Sequence, residues 1–258
     1  EPSELPKQWD AMYVPFQADA VRLALLAKYG GLWIDVATIC LKPFDWWIYD
    51  AIRSDERLEG IGAFYFPSWG VEQGRGAEYM ENWVLAARRN HPMIIAWKAL
   101  FNDYWDSVRV GTLDPIGLPE HTMFWHVDLS FLQRFGHDMR AYLVMHACFK
   151  KLIDERLDMR QIWQQEMLLL RADEHGIWHL DEPDVHWDPT AGVQKWLCVH
   201  DEPWVRRVLS RCPVLKFVSQ FALRLDAEPR QRYLEEEGHP RCSLSAVLRA
   251  ALSFQLAE

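Results

Sequence analysis

The 258-residue sequence has no apolar run approaching the roughly 20 residues that a membrane-spanning helix needs, and no secretory leader. It also lacks a stripe of basic side chains. Lysine and arginine total 28 against 37 acidic residues, a formal net charge of -9, so the chain is not expected to neutralise a nucleic-acid backbone. Cysteine is sparse. Cys40, Cys148, Cys198, Cys212 and Cys242 are scattered, odd in number and without a C-x-x-C pair, which suits a reduced, intracellular protein better than a disulfide framework. G-x-S-x-G, P-loop and G-x-G-x-x-G patterns are absent, which removes the commonest nucleophile-elbow and phosphate-cradle readings. The first residue is Glu1 rather than Met, and a trimmed N-terminus is the expectation. Cytoplasmic placement follows from these absences, with peripheral membrane association left open.

Half the residues are hydrophobic and a quarter charged, enough for one sizeable core. Tryptophan is abundant at 14 residues, most of them expected in that core and a few on sugar faces. Residues 16–29 have helical periodicity and stop at Gly30-Gly31, as a C-terminal cap requires. Residues 32–41 then read as one buried strand closed by Lys42-Pro43, and 61–66 as a second strand. The pattern predicts helices over 79–89, 92–108, 139–153, 159–172, 203–211 and 243–256. The stretches 67–76 and 111–120 read as loops, the first as a flexible cover over a site, and 176–200 as irregular. A main domain over 1–225 is followed by a charged linker and an amphipathic helix over 226–258. That helix has few cations on its polar face, which favours docking on the domain over a membrane surface.

The first helix and the strand after it carry the candidate chemistry. At roughly 100° per residue, Asp19 and Arg22 share a helix face with Leu23 and Leu26, so a carboxylate and a guanidinium lie among apolar neighbours. Burying such a pair is costly unless it is paired and hydrogen-bonded. It is either a structural ion pair or a pair awaiting sugar hydroxyls and phosphate. On a continuous strand Trp33, Asp35 and Ala37 point one way and Ile34, Val36 and Thr38 the other. An aspartate inside Leu-Trp-Ile-Val breaks the strand pattern, as functional sites tend to do, and it falls where open α/β sheets bind ligands.

Asp19-x-x-Arg22, Leu25-Leu26, Tyr29-Gly30-Gly31-Leu32-Trp33-Ile34-Asp35 and Leu41-Lys42-Pro43 together resemble the sugar-binding region of the DxD glycosyltransferases. The likeness is to glycosyltransferase family 32 and the capsular polysaccharide synthesis proteins. The close match covers some 25 residues, with weaker similarity through Glu81-Asn82-Trp83 and Arg89-Asn90-His91-Pro92. The resemblance implies an α/β GT-A fold, a Rossmann-like sandwich, here with a helix-rich C-terminal half. It implies transfer of a hexose, with retention, from a nucleotide-diphosphate sugar to a glycan or other hydroxyl acceptor. Carried over by residue, Asp19 would take bonds from donor-sugar hydroxyls and Arg22 would contact sugar or diphosphate. Asp35 would face the ribose or a metal-bound diphosphate, with Trp33 beside it.

Two departures stand out. Ala37 occupies the place of the motif's second acid, which weakens the expectation of Mn2+ or Mg2+ on Asp35; Thr38, Asp45 and Asp128 are possible replacements. Little of an upstream nucleotide-binding strand fits into residues 1–15. A catalytically degenerate sugar- or partner-binding relative is therefore the alternative function. Glu81, Asn82 and Trp83 are candidate acceptor contacts, against a reading of helix cap and core. Lys216 is a candidate late cation at the diphosphate. His175 and His179 have helical metal-ligand spacing, but Gly176 argues against a helix there. Cys148 reads as a small core residue.

Overall fold

The computed structural model describes residues 2–56, 58, 60–66, 79–108, 121–132, 140, 142–176, 201–216, 246, 247, 249 and 250. The chain divides into two compact units. The first comprises Glu1–Trp33 and Ile52–Leu169, the second Ile34–Ala51 and Leu170–Glu258. The expected division at 225/226 lies outside the described residues.

The first unit begins with short 3-10 turns at Pro2–Glu4 and Trp9–Ala11, and residues 2–13 hold no strand. Helix α1, Val14–Tyr29, follows with Pro15 in its first turn, where a missing N–H costs nothing. Its buried face is Phe16, Asp19, Ala20, Arg22, Leu23, Leu26 and Ala27. Gly30 closes it at φ 68, with its N–H on the carbonyl of Leu26. A Cβ on Gly30 would lie 2.4 Å from the Arg89 nitrogen and 2.8 Å from the Ala87 oxygen, so only glycine admits this backbone approach. Strand β1, Gly31–Ile34, leaves that turn and lies beside β4, Tyr79–Ala87. The sheet order is β1-β4-β3-β5, with β3 at Ile61–Phe66 and β5 at Leu168–Arg171. Strands β3 and β4 are antiparallel.

Helix α3, Pro92–Ser107, packs against α1 and against α4, Val144–Glu155. Its buried residues Met93, Ile94, Trp97, Phe101, Tyr104 and Trp105 recur at helical spacing and fill the centre of the core. His91 caps it, accepting a bond from the Met93 N–H at 3.2 Å. Trp97 and Trp163 pack on Phe149 from α4, so these tryptophans are core, as expected.

In the second unit, β2, Thr38–Cys40, pairs antiparallel with β6, Val214–Lys216. The register is Thr38 opposite Lys216, Ile39 opposite Leu215 and Cys40 opposite Val214. A π-helical turn at Asp45–Tyr49 runs into α2, Asp50–Ser54. Helix α7, Glu202–Arg211, is capped by the Asp201 side chain. Between α4 and α7 lie α5, Leu157–Gln161, and α6, Ala172–His175.

The α/β class, the first helix, β3, α3 and the 203–211 helix agree with the sequence patterns. Three expectations are corrected. Residues 32–41 are not one strand: the chain turns at Val36-Ala37, with Val36 fully exposed, and the two halves enter different sheets. The segment 79–89 is strand rather than helix. Met80 and the run Trp83 to Ala87 are all buried, and an apolar run covered on both faces carries no strand alternation. The helix expected over 159–172 ends in a π-helical turn at Ile162–Glu166, after which Leu168–Arg171 form β5, an edge strand whose residues are all half-buried. The 139–153 helix starts later, at Val144. The loops at 67–76 and 111–120, the 226–241 linker and His179 lie outside the described residues. Of the final helix, 246, 247, 249 and 250 are described, and they are helical.

Candidate functional site

Asp19 and Arg22 stand one turn apart on the buried face of α1. The Arg22 Nη1 donates to Asp19 Oδ1 at 2.8 Å, with side chains 4% and 11% exposed. Asn82 Nδ2 donates to the same carboxylate oxygen at 3.1 Å. Met145 completes the cluster from α4, its sulfur 3.5 Å from Arg22 Nη1 and 3.3 Å from Asn82 Nδ2. The guanidinium carbon lies 5.0 Å from the Trp33 ring centroid, within cation–π range. Thus α1, β1, β4 and α4 each supply one side of a polar cluster set in the core. Asp19 and Arg22 form a charge-assisted ion pair that Asn82 joins.

A defect in the sheet places Asn82. The β3–β4 register passes from Ala63 opposite Leu85 to Tyr65 opposite Met80, so Phe64 alone faces Glu81 to Val84. Such a bulge bends the strand and re-aims its side chains. Trp83 turns inward, 3% exposed and stacked on Phe64 at 4.6 Å between centroids, while Asn82 reaches Asp19. Asn82 therefore belongs to the Asp19–Arg22 cluster, and the buried Trp83 offers no open ring to an acceptor. Glu81 is half-buried on the same bulge.

The charges of the cluster are felt on α4. Burial, aided by the Arg22 charge, lowers the His146 pKa to about 3, so this imidazole stays neutral. Burial, aided by the Asp19 carboxylate, pushes the Cys148 thiol up, and Cys148 is a core residue. Met145 and His146 were not visible as site residues in the sequence. They sit in an ordinary helical apolar pattern, and only the fold brings them to Arg22.

Asp35 belongs to the second unit. Its Oδ2 is 3.1 Å from the Nζ of Lys216, whose side chain is 11% exposed. The cross-strand pairing of Thr38 with Lys216 accounts for the contact, since Asp35 lies just upstream on the same chain segment. A cavity of about 500 Å3 in this unit is lined by Lys42, Pro43, Trp46, Trp47, His175 and Arg211, among others. Lys42 Nζ reaches the Ser210 carbonyl at 3.0 Å, so the Lys-Pro end of the motif is tied to α7.

Residues 7–110 match the family model of capsular polysaccharide synthesis proteins. The matched segment contains Asp19, Arg22, Trp33, Asp35 and Asn82, and it agrees with the resemblance carried by the motif. Two curated relatives match over the same length scale. The glycosyltransferase afumC of Aspergillus fumigatus is 29% identical over 110 residues, 43% of this chain and 26% of that protein. The O-glycosyltransferase braB of Annulohypoxylon truncatum is 30% identical over 111 residues, 43% of this chain and 24% of that protein. The chain thus spans about a quarter of the length of these relatives in the matched region. No solved structure matches the chain.

Among the described residues, the side chains around Asp35 do not make a cation cradle of the usual kind. Ala37 has no side-chain oxygen to offer, and the Asp35 carboxylate already holds an ammonium group. Among the described residues, no group of three His, Cys, Asp or Glu side chains is placed to hold a metal ion. Asp128, a possible replacement ligand, instead bonds Ser130, whose hydroxyl and N–H (the latter at 2.9 Å) together hold its carboxyl below the usual range. No described helix is long and apolar enough to cross a membrane.

Proposed function

We propose that this chain is part of a sugar-nucleotide-dependent glycosyltransferase that moves a hexose to a hydroxyl acceptor on a glycan or similar molecule, with retention. The observation that carries the reading is the Asp19–Arg22–Asn82 cluster inside the capsular-synthesis segment. Three polar side chains from two distant stretches of chain meet on one carboxylate oxygen in the core. A hydrophobic trio of the same volume would often hold the fold as well or better.

In this reading the bond from the anomeric carbon to the diphosphate oxygen breaks, and its electron pair leaves with the nucleoside diphosphate. The acceptor oxygen bonds to the same carbon on the face the diphosphate leaves, and its proton passes to the departing diphosphate oxygen. Asp19 orients donor hydroxyls, with Arg22 and Asn82 fixing its carboxylate. Arg22 adds positive charge against the developing anion. Asp35 is the candidate on the diphosphate side, and Glu81 the remaining candidate toward the acceptor.

The test is release of nucleoside diphosphate from a panel of UDP- and GDP-hexoses. Wild-type protein should turn over at least one donor. Asp35→Asn should abolish turnover while melting normally, and an active Asp35→Asn variant would remove Asp35 from the site. A non-catalytic, sugar- or partner-binding relative is the second reading. It is favoured by Ala37 and by the mutual bonding of Asp19 and Arg22, and tight donor binding without turnover would select it.

A further inference from the structure

We infer that Lys216 supplies the positive charge at the donor diphosphate that a divalent cation would otherwise supply, so that nucleotide binding by this chain does not require metal. The inference rests on the donor-binding reading above and extends it to one residue near the other end of the described chain.

Three observations converge. The motif position that would complete a metal-binding pair of acids is Ala37, whose side chain has no ligand atom. The remaining acid, Asp35, is held by the Lys216 ammonium at 3.1 Å. A divalent ion placed on this carboxylate would stand beside a like charge. The lysine is also fixed in place. Its backbone pairs with Thr38 across the β2–β6 ladder, and its N–H donates to the Gly176 carbonyl at 3.0 Å. A lysine side chain only 11% exposed is unusual unless it is paired, and here its ammonium bonds the motif aspartate.

The chemistry suits a phosphate. An ammonium has three N–H donors and no acceptor, so Lys216 can keep its bond to Asp35 and still donate to a diphosphate oxygen. Asp35 then positions the lysine. When the sugar leaves, the electron pair passes to the diphosphate oxygen, and the ammonium lowers the cost of that added charge without itself changing protonation.

Calorimetric titration of UDP and GDP into the intact chain tests this directly. In excess EDTA at least one of them should bind, and 1 mM Mn2+ should change its Kd by less than about threefold, well under the tenfold expected from one good charged contact. Lys216→Met should weaken binding about 10–100-fold, and Lys216→Arg should restore most of it. Adding Ala37→Asp to Lys216→Met should create Mn2+-dependent binding. Binding that disappears in EDTA and returns with Mn2+ would overturn the inference while leaving the donor-binding reading intact, and this comparison needs no variant. Equal affinity of wild type and a folded Lys216→Met would also overturn it. If neither nucleotide binds under either condition, the donor-binding reading falls and takes this inference with it.

Discussion

Asp19 and Arg22 differ from ordinary surface ion pairs because both are buried and share a third partner. Removing one member leaves the other charged in the core. Arg22→Met is therefore expected to cost about 3–5 kcal/mol in urea unfolding, whereas replacing both by apolar residues should cost much less. A double replacement that keeps stability but loses donor turnover would mark the pair as functional. Gly30 makes an equally local demand. Gly30→Ala forces a side chain onto a positive φ and into the Arg89 backbone, and should cost about 3 kcal/mol. Gly31 also has a positive φ, but a Cβ there meets open space, so Gly31→Ala should cost only about 1 kcal/mol. Comparing the two denaturation midpoints separates strain from collision. The pair on α1 was legible in the sequence because charged residues rarely share a face with Leu23 and Leu26. Its closure by Asn82 and Met145 was not, since nothing in a local pattern tells which distant side chain a carboxylate will meet.

At the scale of elements, patterns resolved helices with one wet side and failed on strands without one. Helix α1 and α3 show apolar stripes, and their boundaries agree with the structure within a few residues. Strand β4 ends in a buried apolar run inside a four-stranded sheet, and such a run resembles buried helix; β5 is a four-residue edge strand, too short to show an alternation. The break at Asp35-Val36-Ala37 was also hidden, because no glycine or proline marks it. Hydrogen exchange should reflect the corrected assignment. The amides of Val84 to Ala87, central in the sheet and buried, are expected among the slowest to exchange, and β2, paired only with β6, among the faster strands. Fast exchange across 84–87 would argue against the strand. The bulge in β4 is the element-level feature of greatest functional interest, because it separates the packing role of Trp83 from the polar role of Asn82.

For the molecule as a whole, two buried histidines among the described residues set a direction for pH dependence. Burial lowers His91 to about 4, with Arg88 adding to the effect, and lowers His146 to about 3. Each pKa is depressed in the folded state relative to an unfolded imidazole near 6.5, so the unfolded chain binds more protons between these values. Stability contributed by the neutral forms is complete above about pH 6.5 and declines as the pH falls toward 4, each group adding up to about 1.4 kcal/mol per pH unit. Thermal melts from pH 7.5 to 4.5 should show a falling midpoint, and His91→Gln should flatten the decline. A midpoint that holds steady down to pH 4.5 would contradict the assignment of neutral, buried imidazoles.

The pairing of Thr38 with Lys216 ties together chain positions separated by most of the sequence. On a ribosome, the aspartate of the motif emerges well over a hundred residues before its lysine. A polypeptide halted anywhere in that interval carries the whole recognisable signature yet lacks the ammonium beside it. Signature-bearing fragments with and without Lys216 are thus chemically different objects.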